Sequence, residues 1–363
     1  MQFNSFLKTL PTYQPGRPIE EVARELGLPV DSVIKVASNE NPFGPSPMAQ
    51  AALHQAIAGV NLYPDGNAFY LKQKLAAKLG LEPANLVLGN GSNEIIEFVA
   101  HALLGPDTNV VVSQYCFAIY PIVARMSGAA VITVPARHYG HDLPAMLDAV
   151  NDRTRIIFVA NPNNPTGTLA LREDLIKFVN DVPDDVLLVL DEAYLEFLDE
   201  PVDLVPLIRL GARKNLILMR TFSKIYGLAG LRIGYGIAEA EVISALEKIR
   251  QPFNANLLAQ TAALAALDDE EHLRRTRANN FAGLEFFAKV FREMNLEYVE
   301  SFANFILVRV GEGARVFDAM QKLGVITRPM GGYQLPEWLR ISVGTRAENQ
   351  RTVDALKKAL AEI

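Results

Sequence analysis

Five short segments hold the side chains that could do chemistry. Thr221-Phe222-Ser223-Lys224 follows an apolar run that ends near Arg220. A lysine at the end of a buried strand, among small and hydroxyl residues, can be partly desolvated and have a lowered pKa. A neutral amine attacks carbonyl compounds and forms a Schiff base. A solvated loop lysine fits the same four residues, since most lysines are exposed. Asp191-Glu192-Ala193-Tyr194 follows the run Val186–Leu190. An aspartate at the carboxyl end of such a strand points into the crevice where α/β proteins bind ligands, and burial obliges it to find a partner. A helix cap or a metal carboxylate would use the same residue. The chain has no Gly-x-x-x-x-Gly-Lys-Ser/Thr loop, so phosphate hydrolysis loses support.

Three further segments are compatible with a bound anion. Asn161-Pro162-Asn163-Asn164-Pro165-Thr166-Gly167 follows another apolar run and, alone, reads as a turn. Gly89-Asn90-Gly91-Ser92-Asn93-Glu94 opens a helix after a strand. Backbone N–H groups at such a start, with the Ser92 hydroxyl, make an anion site. Glu94 stands where a dinucleotide loop would need its third glycine, and a plain N-cap by Ser92 or Asn93 is equally open. Arg232, eight residues beyond Lys224, could reach a phosphate held by that loop.

The elements that position these residues follow from periodicity. Short strands are expected at 85–89, 109–113, 130–134, 154–160, 186–190 and 216–220, separated by amphipathic helices at 92–104, 118–127, 143–150 and 171–182. Continuous apolar strands alternating with helices imply an α/β architecture with a mostly parallel sheet buried on both faces. Before them, a Pro-rich arm and a short helix occupy 1–30, and helices span 48–57 and 68–79, the second closed by Gly80. After Arg250 the pattern changes to long helices at 257–267 and 272–294. Strands at 305–308, 325–327 and 338–343 and a helix at 348–363 then form a smaller α+β unit. The expected division is an arm at 1–30, a large domain at 60–255, and a small domain from 31–59 with 256–363.

Composition bounds the function. The 363 residues are 50% hydrophobic and 21% charged, ordinary values for a chain of about two globular domains. Lys plus Arg is 35 against 41 for Asp plus Glu, a formal charge of -6; charge alone makes this a poor nucleic-acid binder. The single cysteine, Cys116, excludes an intrachain disulfide and reads as a small buried residue. The five histidines show no metal-ligand spacing, so no metal is expected. The first residues lack a signal-peptide pattern and no apolar run spans a membrane, so a soluble, cytoplasmic protein is expected. Arg274, Arg275 and Arg277 share one helix and read as a solvated face.

In this order, Asn164-Pro165-Thr166-Gly167, Asp191-Glu192-Ala193-Tyr194, Ser223-Lys224 and Arg232 resemble the fold-type-I pyridoxal-phosphate aminotransferases, over nearly the whole chain. More narrowly, Ser38-Asn39-Glu40-Asn41-Pro42-Phe43-Gly44-Pro45-Ser46, Tyr63-Pro64-Asp65, Thr221-Phe222-Ser223-Lys224 and Trp338-Leu339-Arg340-Ile341-Ser342-Val343-Gly344-Thr345 resemble the histidinol-phosphate aminotransferases. The resemblance implies a large domain with a mostly parallel seven-stranded sheet and a smaller α+β domain. It implies pyridoxal 5'-phosphate held covalently by Lys224, which then acts as general acid and base. Asp191 would pair with the ring nitrogen and keep it protonated, making the ring an electron sink. Asn164 and Tyr194 would contact the ring 3-oxygen. Gly91, Ser92, Asn93, Thr221, Ser223 and Arg232 would surround the phosphate. Phe117 would stack on the ring; many relatives carry Tyr there, so only stacking is implied. Tyr63 would reach the phosphate of the other subunit in a two-fold homodimer. The implied substrates are L-histidinol phosphate and glutamate, with 2-oxoglutarate as acceptor. Arg340 and Arg328 would bind their anionic groups, and Tyr13 and Asn39 would complete the substrate site. Aromatic amino-acid aminotransferases share every cofactor motif, so that specificity stays open, as does a phosphothreonine decarboxylase-like activity. A cofactor-free binding protein is disfavoured, because a buried Lys and Asp cost stability unless used.

Overall fold

The computed structural model describes Met1 and residues 5–8, 10, 12 and 15–363. Seven strands form the central sheet in the spatial order Leu86–Gly89, Gly234–Ala238, Leu216–Thr221, Leu187–Asp191, Thr154–Ala160, Asn109–Ser113, Ala130–Val134. All run parallel except Gly234–Ala238, which is antiparallel to both its neighbours. Six of these strands lie where the apolar runs place them. The seventh, which the resemblance implies by number only, had no expected position, because Gly234-Tyr235-Gly236-Ile237-Ala238 has two glycines where a strand favours β-branched residues. Packing explains one of them: a Cβ on Gly234 would lie 2.3 Å from the Ser92 backbone nitrogen.

The helix Ser92–Leu103 and the helix Ile119–Met126 cover one face of the sheet with Ile95, Val99, Tyr120 and Val123. The opposite face carries Phe178, Val179 and Ile208. Each fully buried aliphatic side chain there contributes roughly 1.5–3 kcal/mol. The helix Pro47–Ala56 starts at Pro47 itself, with Ser46 Oγ accepting the Ala49 N–H as N-cap. It packs against the helix Leu257–Ala266, whose Ala259, Ala262 and Ala263 belong to the same apolar cluster as that second face. Gly80 closes Phe69–Leu79 in the left-handed region.

A second, antiparallel sheet has the order Arg328–Pro329, Trp338–Ser342, Phe305–Arg309, Tyr298–Val299. The helices Glu270–Glu293, Gly313–Lys322 and Arg346–Glu362 pack on it through Phe287, Phe291, Met320 and Leu356. Its last helix begins with a capping box between Thr345 and Glu348. Ile34–Lys35 pairs in parallel with Val325–Ile326. Val36 then donates to Ile326 O and accepts from Ser342 N, both at 2.8 Å. These bonds tie residues 36–40 to the small sheet. Among the described residues, no helix is long and apolar enough to cross a membrane.

Candidate active site

The chain runs outward from Asn109–Ser113 to Ala130–Val134 and then returns to Thr154–Ala160 on the other side. Such a switch point leaves a crevice at the carboxyl ends of the strands. A cavity of about 440 Å³ opens there. Ser92, Asn93, Phe117, Asn164, Asp191, Tyr194, Thr221, Ser223, Lys224 and Arg232 line it, as do Asn39, Arg328 and Arg340.

Lys224 follows a strand that ends in a tight turn. Thr221 Oγ1 accepts the Ser223 N–H at 3.1 Å, and Gly227 N–H donates to Lys224 O at 3.0 Å. Gly227 has φ +69°, and a Cβ there would lie 2.0 Å from Gly44 O. The turn therefore sits directly on the Asn41–Ser46 loop. Lys224 Nζ donates to Ser38 O at 3.4 Å. Burial, then the positive charges of Arg340 and Arg232, push its amine down to about 8, against the opposing pull of Glu40 and Asp191. Such an amine is partly neutral near physiological pH, as a nucleophile or a base requires.

Asp191 ends its strand at the floor of the cavity and is 7% exposed. Tyr120 O–H donates to its Oδ2 at 2.7 Å, and Ala193 N–H donates to Oδ1 at 3.1 Å. Burial raises its pKa, and these two hydrogen bonds and Lys224 oppose that rise by favouring the carboxylate. The Tyr120 ring stacks on Phe158 at 4.7 Å and meets Phe117 edge-on at 5.6 Å.

The helix Ser92–Leu103 has Gly91 as its N-cap, and no side chain caps it. An N-cap by Ser92 or Asn93 is therefore not what forms. Ser92 and Asn93 at the helix start line the cavity instead, and the first backbone N–H groups of a helix have no partner within it. Arg232 adopts φ +58° and donates through Nη1 to Ser223 Oγ at 3.5 Å and Ala229 O at 3.1 Å. Its guanidinium lies against Gly91, where a Cβ would meet Nη2 at 2.3 Å.

The small sheet supplies the other positive groups. Arg340 stands opposite Arg328 in the antiparallel register. Both arginines line the cavity. Arg340 Nη1 donates to Asn164 Oδ1 at 2.6 Å and Nη2 to Ala37 O at 2.9 Å. Its guanidinium lies 5.0 Å from the Phe305 ring centre, and that ring meets Tyr194 edge-on at 5.4 Å. Asn39 Nδ2 donates to Tyr194 Oη at 3.0 Å, and Ser342 Oγ–H donates to Asn39 Oδ1 at 3.0 Å. Burial pushes the Tyr194 hydroxyl pKa up, so it stays a donor.

Some expected residues lie elsewhere. Tyr63 is 82% exposed, outside the cavity of its own chain, and stacks on Phe253 at 4.7 Å. Gly91 backs the cavity without lining it, and Tyr13 lies outside the described residues. Of the three helix arginines, Arg274 and Arg275 are exposed as expected, and only Arg277 leaves the solvated face. Arg274 pairs in solvent with Glu271 and the exposed Arg275 lies over the Phe43 ring at 4.0 Å, but the half-buried Arg277 donates to Glu196 O at 2.8 Å. Cys116 is buried, and burial pushes its thiol up to about 12.

With this geometry in place, the family profile of aminotransferase class I and II matches residues 31–356. The chain belongs to the class I and II aminotransferases. Among its relatives, the histidinol-phosphate aminotransferase of Akkermansia muciniphila is 51% identical over 358 residues, 98% of each chain. Histidinol-phosphate aminotransferase 2 of Ralstonia nicotianae is 49% identical over 369 residues, covering 100% of this chain and 98% of its own. The structure of the histidinol-phosphate aminotransferase from Sinorhizobium meliloti in complex with pyridoxal-5'-phosphate superposes with a TM-score of 0.89 at 28% identity, covering 99% of this chain and 98% of that one.

Four residues that line the cavity of this aminotransferase, Tyr120, Ser38, Glu40 and Tyr333, have no role implied by the sequence, although Ser38 and Glu40 belong to the Ser38–Ser46 segment that carries the resemblance. Tyr120 lies in the first turn of the helix Ile119–Met126, while Phe117 precedes that helix, so no helical spacing links the two in the sequence. Ser38 contributes a backbone carbonyl, which no residue type announces. Glu40 pairs with Lys35 at 3.0 Å.

Proposed function

We propose that this aminotransferase exchanges the amino group between L-histidinol phosphate and 2-oxoglutarate, giving imidazole-acetol phosphate and glutamate, with pyridoxal 5'-phosphate as cofactor. The observation that carries this reading is a lysine amine held near neutrality in one cavity with a buried aspartate and two facing arginines. The half-identical relatives, named for histidinol phosphate, support the same substrate.

The residues present fit the cofactor. The approach of Arg232 to Gly91 and of Ser92 to Gly234 builds a cradle that a single Cβ would fill. The helix start at Ser92 and Asn93, with Thr221, Ser223 and Arg232, would hold the phosphate. Lys224 would bind the aldehyde carbon, Asp191 the ring nitrogen and Phe117 a ring face. Tyr194, and the Asn164 amide nitrogen left over from the bond to Arg340, would donate to the ring oxygen. When bound, the cofactor supplies an electron sink for charge at the substrate α-carbon.

The chain provides positioning and proton transfer. Lys224 Nζ, partly neutral, takes the proton from the substrate α-carbon and passes it to the carbon that receives it. Arg340 and Arg328 hold the phosphate of histidinol phosphate in one half-reaction and a carboxylate of glutamate in the other, since a guanidinium fork serves either anion. Asn39 orients Tyr194 and is itself fixed by Ser342. Val60, Leu62, Tyr63, Phe69 and Tyr70 leave an exposed apolar stretch, with Leu62 at 68% and Tyr70 at 73%. Such surface marks an interaction site, and a homodimer in which Tyr63 serves the other subunit's phosphate accounts for it. A cytoplasmic location accords with a biosynthetic activity of this kind.

The test is a half-reaction. Cofactor-loaded protein is mixed separately with L-histidinol phosphate and with L-phenylalanine, and the visible absorbance of the bound cofactor is followed. Faster conversion with histidinol phosphate supports the reading. The reverse order makes the chain an aromatic amino-acid aminotransferase. Absence of a visible band removes the cofactor from the account.

A further inference from the structure

We propose that Tyr120 is a positioning residue for transamination: its hydroxyl holds Asp191 as the anion and so keeps the proton they share on the cofactor's ring nitrogen. The inference rests on the cofactor reading above and concerns a residue that no sequence motif singled out.

The geometry is direct. Tyr120 is fully buried on the helix Ile119–Met126 and donates to Asp191 Oδ2 at 2.7 Å. Ala193 N–H donates to the other oxygen at 3.1 Å. On the buried cavity floor, desolvation favours the neutral acid, and hydrogen bonds to the charged form oppose it. One of the two bonds comes from the backbone, so the side-chain share of this support rests on one phenol oxygen. The ring that carries it cannot swing away. It stacks on Phe158 at 4.7 Å with an interplanar angle of 6° and meets Phe117 edge-on at 83°. The same ring thus aims the hydroxyl and backs the side chain expected to stack on the cofactor.

A phenol suits this task better than a basic group. Burial and the adjacent Asp191 raise its pKa well above the ordinary value, so it remains a donor throughout the working range. It adds no positive charge that would compete with the ring nitrogen for the carboxylate. A carboxylate and a pyridine nitrogen share one proton. With Tyr120 donating to the carboxylate, the proton rests on nitrogen and the ring draws electrons strongly. Without that donor the proton moves toward the carboxyl oxygen, and the electron sink weakens. No bond other than the shared N–H or O–H changes.

Tyr120→Phe removes one oxygen and keeps both ring contacts. In the loaded enzyme, kcat is expected to fall about ten- to a hundredfold with histidinol phosphate and with glutamate alike, the range that a hydrogen bond to a charged group is worth. KM should change little, because the lost support acts on charge that develops in the transition state. With 15N-labelled pyridoxal 5'-phosphate, the ring-nitrogen resonance should move toward its unprotonated position. Tyr120→His, which can also donate, should restore part of both. A Tyr120→Phe enzyme with an unmoved ring-nitrogen resonance overturns the proposal, whether its activity is kept or lost. Failure of the underlying cofactor reading is distinguishable, because wild-type protein would then not take up pyridoxal 5'-phosphate.

Discussion

Gly91→Ala isolates the contact between the Ser92 helix start and Arg232. Gly91 sits at φ 76°, ψ 162°, a region open almost only to glycine, and holding alanine there costs about 1–3 kcal/mol. A separate effect falls on Arg232. The new Cβ would lie 2.3 Å from Nη2 and 3.0 Å from Cζ, so the guanidinium must move. The loop has no room to retreat, because Gly234 already approaches Ser92 N closely enough to exclude a Cβ. Arg232 then gives up its bonds to Ser223 and Ala229 and its reach to a bound phosphate. A hydrogen bond to a charged group is worth about 1.5–3 kcal/mol, which is about ten- to a hundredfold in the dissociation constant of pyridoxal 5'-phosphate. The assay pairs thermal unfolding of the cofactor-free protein with an absorbance titration. Gly27→Ala is the control, since Gly27 has φ +66° and a Cβ there meets nothing within 4 Å. Both variants should lose stability, but only Gly91→Ala should lose cofactor. A Gly91→Ala protein that binds pyridoxal 5'-phosphate as tightly as wild type would refute the reasoning.

Three other perturbations test the site and its surroundings. Lys224→Ala should abolish turnover and the visible band of the covalently held cofactor while far-ultraviolet circular dichroism stays native; residual activity near wild type would sink its role. Cofactor-free protein should capture pyridoxal 5'-phosphate faster as pH rises, with a midpoint near the Lys224 value of about 8. Because the Arg340 charge lowers that value, Arg340→Gln should move the midpoint up, and an unshifted midpoint would remove the coupling. Glu196 Oε2 is buried without a partner, and burial pushes its carboxyl up to about 7. A folded value above the ordinary 4.5 means its contribution is complete below that pH and is lost as pH rises through 7. Glu196→Gln should therefore gain stability over wild type at pH 8 relative to pH 5 in urea unfolding; parallel profiles would exclude this.

The strands that position the site were legible because each is a short apolar run bounded by turn residues. Asp191, Thr221 and the Asn161–Gly167 loop sit where those runs end, so convergence at the carboxyl ends follows from the α/β order. Gly234–Ala238 was hidden because close packing against Ser92 requires glycine, which local propensity counts against a strand. Arg277 was misplaced on a solvated face because a run of arginines gives no sign that one of them bonds Glu196 O. The N-cap shifted to Gly91 because its backbone geometry, not a side-chain oxygen, starts the helix.

Sequence by itself determined the layered α/β order, the apolar strands and the chemistry-bearing residues at their ends. It could do so because hydrophobic period and turn chemistry act over a few neighbouring residues. Only the tertiary structure decided which distant groups meet. Tyr120 reaches Asp191 across 71 residues, Asn39 reaches Tyr194 across 155, and Arg340 reaches Asn164 across 176. Those meetings depend on strand order and register, and on the small sheet holding residues 36–40 over the cavity. A one-residue slip of Trp338–Ser342 would turn Arg340 to the other face of its sheet. The local pattern marks the residue, and the pairing of strands far apart in the chain sets where its guanidinium points.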